Sequence, residues 1–184
     1  MMSLQGHLLI ASRELRDPNF SQTVVLLVLH GEEGAFGVVL NRPSPMSIKQ
    51  VWEQLGNPGS ERSEPLYHGG PCEGPLMVLH AQAELGESQV FEGLYYSASR
   101  EHIEQLLESD TQQIQLFSGF AGWGPGQLES ELEAGAWLSM PASLGYVFAR
   151  EERELWLRAI KQVANDQVYS MLKIKHVPPD PSMN

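Results

Sequence analysis

The chain is expected to fold as an α+β protein, on three features of its sequence. Apolar runs of strand length are interspersed with stretches of helical apolar spacing, without the regular β-α-β alternation of a doubly wound sheet. The first forty residues carry two apolar runs joined by a short glycine-bearing turn, the pattern of an antiparallel hairpin. The longest apolar run, Val24 to Leu29, is far too short to span a bilayer and reads as a buried strand.

His7-Leu8-Leu9-Ile10-Ala11 is the first expected strand. Thr23 to Leu29 is rich in β-branched residues and apolar on both faces, which suits a strand covered on both sides. His30 to Gly34 is the turn, and Ala35 to Leu40 the returning strand. Asn41-Arg42-Pro43 ends it, because proline cannot donate to a central ladder. Ser47 and Gln50 then form a capping-box pattern ahead of a helix carrying Ile48, Val51, Trp52 and Leu55, with Gly56 as its stop. Asn57 to Glu64 is polar, holds Gly and Pro, and reads as a mobile loop.

Tyr67 to Pro71 is a tight segment holding Gly69 and Gly70. Leu76 to His80 and Tyr95 to Ser97 read as strands. Ser99 caps a helix with Ile103, Leu106 and Leu107 on one face, and Ile114 to Phe120 alternates as a strand does. Ala121 to Leu128 is a strand-to-helix junction with Pro125 in the first helical turn, and Gly135 stops that helix. Trp137-Leu138 opens another strand. Glu151 to Val163 is an amphipathic helix, and Asn165-Asp166 caps a last one ending near Leu172. The tail carries three prolines in the four residues from Pro178, so a single domain is expected over residues 1–176, with 177–184 frayed.

Composition excludes several functions. The net charge is −11 and all of it lies between Ser47 and Gly135, where fourteen acidic residues face three basic ones. Phosphate backbones are drawn to clustered Lys and Arg, and no such cluster exists, so direct nucleic-acid binding is not expected. The most basic stretch, Arg150 to Lys175, interleaves six bases with four acids and reads as a solvated helix face. Cys72 is the only cysteine, so no internal disulfide forms, in keeping with a reducing compartment. The N-terminus lacks the pattern of a signal peptide, and a cytoplasmic, non-membrane protein is expected.

Several segments, in order, resemble the AlgH/YqgE-like bacterial family. The first is Gly6 to Ala11 followed by Asp17, Phe20, Thr23 to Leu27 and His30. The others are Gly34 to Pro43, Gly69-Gly70-Pro71 with Leu76 to His80, and Phe120-Ala121-Gly122-Trp123-Gly124-Pro125-Gly126-Gln127-Leu128-Glu129, the most specific of them. Trp137 and the helix bearing Trp156 also fit, so the resemblance runs over roughly residues 4–172. It implies a bent or barrel-like mixed sheet, largely antiparallel, surrounded by helices, in a bacterial cytosolic protein. It implies no catalytic mechanism. A transcriptional-regulator label attaches to the family through one member's effect on alginate production, but no helix-turn-helix with a basic recognition helix occurs here. The position after Gly-Gly-Pro is usually apolar in similar proteins, which argues against Cys72 as a nucleophile.

The residues leave several chemistries open. Cys72 and His68 are four apart across a Gly-Gly-Pro kink, and a small core cysteine is the simpler reading. None of the six histidines pairs with another at i,i+2, i,i+3 or i,i+4, so neither a metal centre nor a cofactor is expected. No Gly-x-Ser-x-Gly elbow occurs. The glycines about Trp123 could cradle an anion or simply form a tight turn. Arg42, leaving a buried strand, could clamp a carboxylate or phosphate, or could hold a neighbouring loop.

The expected function is an interaction or regulatory protein with a groove lined by Asn41, Arg42, Gly69, Gly70 and Trp123, receiving a small anionic ligand, a peptide or a protein partner. Two alternatives stay open. One is an enzyme on a small anionic substrate, with Arg42 as anion clamp and His68 or His80 as base. The other is a transcriptional regulator acting through a protein partner.

Overall fold

A computed structural model describes residues 3–56, 60–150 and 152–171. Its strands are β1 (His7–Ala11), β2 (Val24–Gly31), β3 (Gly34–Val39), β4 (Pro43–Ser47), β5 (Pro65–His68), β6 (Cys72–His80), β7 (Ser88–Phe91), β8 (Leu94–Ser97), β9 (Ile114–Trp123) and β10 (Trp137–Pro141). Its helices are α1 (Ile48–Gln54), α2 (Arg100–Glu108), α3 (Gln127–Glu133), α4 (Leu144–Val147) and α5 (Glu152–Met171). The fold is α+β, with a curled, mostly antiparallel half-barrel sheet flanked by helices.

The strand order is β10-β1-β2-β3-β9-β6-β8-β7, and β5 joins β4 to β9 off this path. Only β5 and β9 run parallel; the other pairs are antiparallel. Side chains alternate between the faces of a strand, so β1 and β2 each supply two cores. Leu8, Ile10, Val24 and Leu26 point to one, closed by Leu155, Ala159, Ile160 and Val163 of α5. Leu9, Ala11, Val25 and Leu27 point to the other, covered by Leu128 of α3 and by Trp123 and Trp137. A third cluster lies where Ile48 and Trp52 of α1 and Ile103, Leu106 and Leu107 of α2 pack on β6 and β9. A bulge at Val28 breaks the β2–β3 register and turns Leu29 out to solvent.

The capping box of α1 forms as its sequence requires: the Gln50 amide N–H donates to Ser47 Oγ, and Ser47 N–H donates to Gln50 Oε1. Several elements differ from expectation. Pro43–Ser47 is a strand: it is an edge, where two prolines cost no ladder bonds. β7 and α4, at four residues each, are too short for a periodic pattern to announce them. Pro125 lies before the α3 N-cap, which is Gly126 in the left-handed region. Asn165-Asp166 caps nothing; α5 runs unbroken through it, because Val163 and the residues before it already anchor the helix. Residues 57–59, the last residues expected of the closing helix and the frayed tail lie outside the described residues.

After β5 the chain runs hard against β9. A β-carbon on Gly69 would overlap the Gly119 carbonyl oxygen, and one on Gly70 would overlap the Phe120 carbonyl. Gly31, by contrast, has nothing within 4 Å of the corresponding point. Gly69→Ala is expected to lower unfolding free energy by about 1–3 kcal/mol through overpacking, while Gly31→Ala stays within about 0.5 kcal/mol of wild type. Urea denaturation of the two variants side by side checks this.

Candidate functional site

The signature residues converge on a stretch of backbone. Where β3 ends, Asn41 is buried; its Oδ1 accepts from Val24 N–H at 2.9 Å and its Nδ2 donates to the Gln22 carbonyl at 2.9 Å. That carbonyl belongs to a residue with φ of 56°, a left-handed conformation rarely kept without such support. Arg42 is half-buried, and its Nη2 donates to the Ser21 carbonyl at 2.6 Å. The loop before β2 is thus held from both sides. Phe20, in the same loop, stacks on Trp123 with ring centroids 6.2 Å apart and meets Trp137 edge-on at 5.5 Å. Gly69 joins through its carbonyl, which accepts from Val39 N–H at 2.8 Å. Asn41, Arg42 and Trp123 therefore meet around the Phe20–Gln22 loop, with Gly69 and Gly70 on the crossing beside it. Neither of the two principal cavities is lined by any of the five.

Trp123 is fixed by a carboxylate. Its Nε1–H donates to Glu131 Oε2 at 2.9 Å, and Trp137 Nε1–H donates to the same oxygen at 2.8 Å. Gln127 Nε2 donates to the other oxygen at 2.9 Å. The spacing explains the turn: Gln127 and Glu131 are four apart on α3 and so share a face. His30 is held alike. Its Nδ1 accepts from Leu4 N–H at 2.9 Å, which leaves the proton on Nε2 to donate to Glu129 at 2.8 Å.

The histidines weighed as bases are placed differently. His68 is exposed at the end of β5. His80 is wholly buried; Gln82 N–H donates to its Nδ1 at 3.3 Å, and its Nε2 lies 3.1 Å from Ser97 Oγ. Ser97 Oγ donates in turn to the Leu85 carbonyl at 2.6 Å, so this Ser–His pair is sealed and its hydroxyl proton committed. Burial first, with His102 adding to it and Gln82 and Glu87 opposing, holds the His80 pKa down at about 4 instead of 6.5. Glu87 beside it caps α2 by accepting from Ala98 and Ser99 N–H. Burial would raise its pKa; those hydrogen bonds outweigh burial and keep it below 4.5. Cys72 is partly buried at the start of β6. Among the described residues no three His, Cys, Asp or Glu are placed to hold a metal ion. Among the same residues no helix is long and apolar enough to cross a membrane.

A cleft of about 750 Å³ lies elsewhere, between the segment leading into β5, the end of α2, the start of β9 and Phe148–Arg150. Arg62 forms one wall. Its guanidinium donates to the carbonyls of Leu106, Leu107, Ser109 and Thr111 and lies 3.3 Å from Glu64, so it caps the C-terminus of α2. Gln115 is a buried floor residue whose Oε1 has no partner among the described residues. Sequence reasoning passed over both. Gln115 did leave a signal, as a polar residue between the apolar Ile114 and Leu116 at the start of β9. Arg62 left none, because its acceptors lie more than forty residues away. A smaller cavity of about 220 Å³, mostly apolar, opens between Trp52 and Leu55 of α1 and Ile103 of α2.

Two outcomes test these networks. Glu131→Leu strands two buried indole N–H groups and is expected to cost about 2–4 kcal/mol, read by urea unfolding followed through tryptophan fluorescence; a loss under about 0.5 kcal/mol would show that the indoles find other acceptors. For His80 the folded pKa lies below the unfolded one. Its contribution is complete above pH 6.5 and is lost as pH falls toward 4, about 3 kcal/mol in all. His80→Gln should flatten the stability profile across that window, whatever its effect at pH 7.

Comparison with known proteins agrees along the chain. A family model described as AlgH-like (DUF179) matches residues 8–167. A UPF0301 protein of Chlorobaculum tepidum is 34% identical over 97% of this chain and 95% of its own length. One of Streptomyces coelicolor is 36% identical over 99% and 96%. The solution structure of the AlgH protein from Pseudomonas aeruginosa matches with a TM-score of 0.75 at 33% identity, covering 96% of each chain. A Corynebacterium diphtheriae protein shares the fold at a TM-score of 0.71 and 24% identity. Family model and relatives agree over nearly the whole length, and the chain belongs to the AlgH-like family.

Proposed function

We propose that this chain works by binding rather than by covalent catalysis, as an interaction or regulatory protein that receives a small ligand or a segment of a partner. The observation that supports this most is the cleft at the end of α2, with a buried, partnerless amide oxygen at its floor. Clefts with a few convergent polar groups are the usual form of a ligand site. The one Ser–His contact described here is sealed from any substrate, and its hydroxyl proton is given to a carbonyl. A rival site at Arg42, taking a small anion or a peptide carboxylate, would have to win Nη2 from the Ser21 carbonyl. An influence on transcription would run through a bound partner, since the acidic middle of the chain repels phosphate backbones.

Amide chemical-shift mapping of the purified protein against a fragment library tests the reading. Binders are expected to move Arg62–Tyr67, Leu107–Gln115 and Phe148–Arg150 without being turned over. Shifts confined to Asn41–Arg42 and Gly69–Gly70 would move the site to the signature corner. Steady turnover of any fragment would replace the binding reading with an enzymatic one.

A further inference from the structure

We infer that the cleft beside the end of α2 binds an ammonium or guanidinium group, with Gln115 Oε1 as its deepest acceptor. The inference rests on the binding reading above and adds the chemistry of the ligand. Gln115 is 5% exposed, and its Oε1 has no donor within reach. A buried acceptor without a donor is costly and uncommon in native proteins, so one supplied from outside is worth more here than at the surface. Gln115 lines the cleft, and its oxygen is the buried end of the amide. The last torsion of a glutamine is broad and two-fold, so a half-turn of the amide presents the oxygen to a donor entering the cleft.

The charge around the floor selects the donor. Four carboxylates line the cleft, Glu61, Glu64, Glu108 and Asp110, against the guanidinium groups of Arg62 and Arg150. Glu61 is engaged by Lys49 at 2.7 Å and Glu64 by Arg62 at 3.3 Å. Arg62 itself is turned into the α2 carbonyls. That leaves the exposed Glu108 and Asp110 on the lip of the cleft, with Arg150 also among the lining residues. The same wall already accepts one guanidinium, that of Arg62, through backbone carbonyls. A neutral donor would satisfy Gln115 but gain nothing from the lip; an anion would be repelled by it.

Two sources carry this chemistry, a free polyamine and a Lys or Arg side chain of a partner protein. Titration of the full chain, followed by amide shifts and calorimetry, uses spermidine, a short unstructured arginine-containing peptide, the same peptide with citrulline in place of arginine, and inorganic phosphate. At least one cationic probe is expected to shift Gln115 and its neighbours, weakening as salt rises. Spermidine alone points to a free amine; the arginine peptide alone, to a partner; both outcomes support the inference. The citrulline peptide should bind about tenfold more weakly than its parent, as loss of a charged partner predicts. Gln115→Leu should stay folded, since an apolar side chain removes the orphaned acceptor, and should weaken binding about tenfold. Asp110→Asn, on the exposed lip, should weaken it severalfold and reduce the salt dependence. Unchanged affinity in both variants would overturn the inference. Phosphate shifting the cleft while neither cation does would overturn the ligand chemistry and leave the binding reading standing. A cleft untouched by these probes and by the fragment library alike would overturn both.

Discussion

Where β5 gives way to Gly69 and Gly70, backbone packs directly on backbone. Gly69 N–H donates to the Ser118 carbonyl at 2.9 Å, while its own carbonyl accepts from Val39 N–H at 2.8 Å. The segment is therefore stitched to β9 on one side and β3 on the other. No residue with a side chain fits there, because its β-carbon would occupy the Gly119 or Phe120 carbonyl. This close approach lets β9 change partners along its length. On one edge β9 pairs with β6; on the other it pairs first with β5, at Phe117 and Ser118, and then, over its last three residues, with β3. One strand then belongs to both halves of the curled sheet, and the two cores on either side of β1 and β2 meet through it.

The polar signature residues serve that crossing. Asn41 and Arg42 fasten the Phe20–Gln22 loop to the end of β3, and Phe20 closes over Trp123. Glu131 then takes the N–H groups of both Trp123 and Trp137, tying α3 to two strands at once. These are charged or polar groups spent inward, each bond replacing one that the backbone or an indole would otherwise have made to water. Their chemistry is that of binding-site residues, yet their partners belong to the protein itself.

Gln115 departs from this economy. Its amide oxygen has no partner among the described residues, and the residue lines a cleft of about 750 Å³. His80, buried in the same half of the sheet, shows the usual alternative: its ring is kept neutral by burial and satisfied on both nitrogens. The buried histidine and the two indoles have their hydrogen bonds completed within the protein, whereas the buried Gln115 amide oxygen, beside a cleft, meets no donor among the described residues.

The sequence by itself determined the local elements and the fold class. The apolar run of Leu8 to Ala11, the two-faced apolar run of β2 and the capping box at Ser47 each depend on residues a few positions apart, so spacing alone revealed them. The glycines at Gly69 and Gly70 were legible as a special segment, though not the strand they would meet. What only the tertiary structure decided is where each polar side chain finds its partner. Arg42 reaches a carbonyl twenty-one residues back, Arg62 reaches carbonyls forty-four to forty-nine residues ahead, and Gln115 Oε1 meets no donor among the described residues. A side chain's role as clamp or ligand group depends on which acceptors the fold brings within 3 Å, and chain spacing holds no record of contacts made across that distance in sequence.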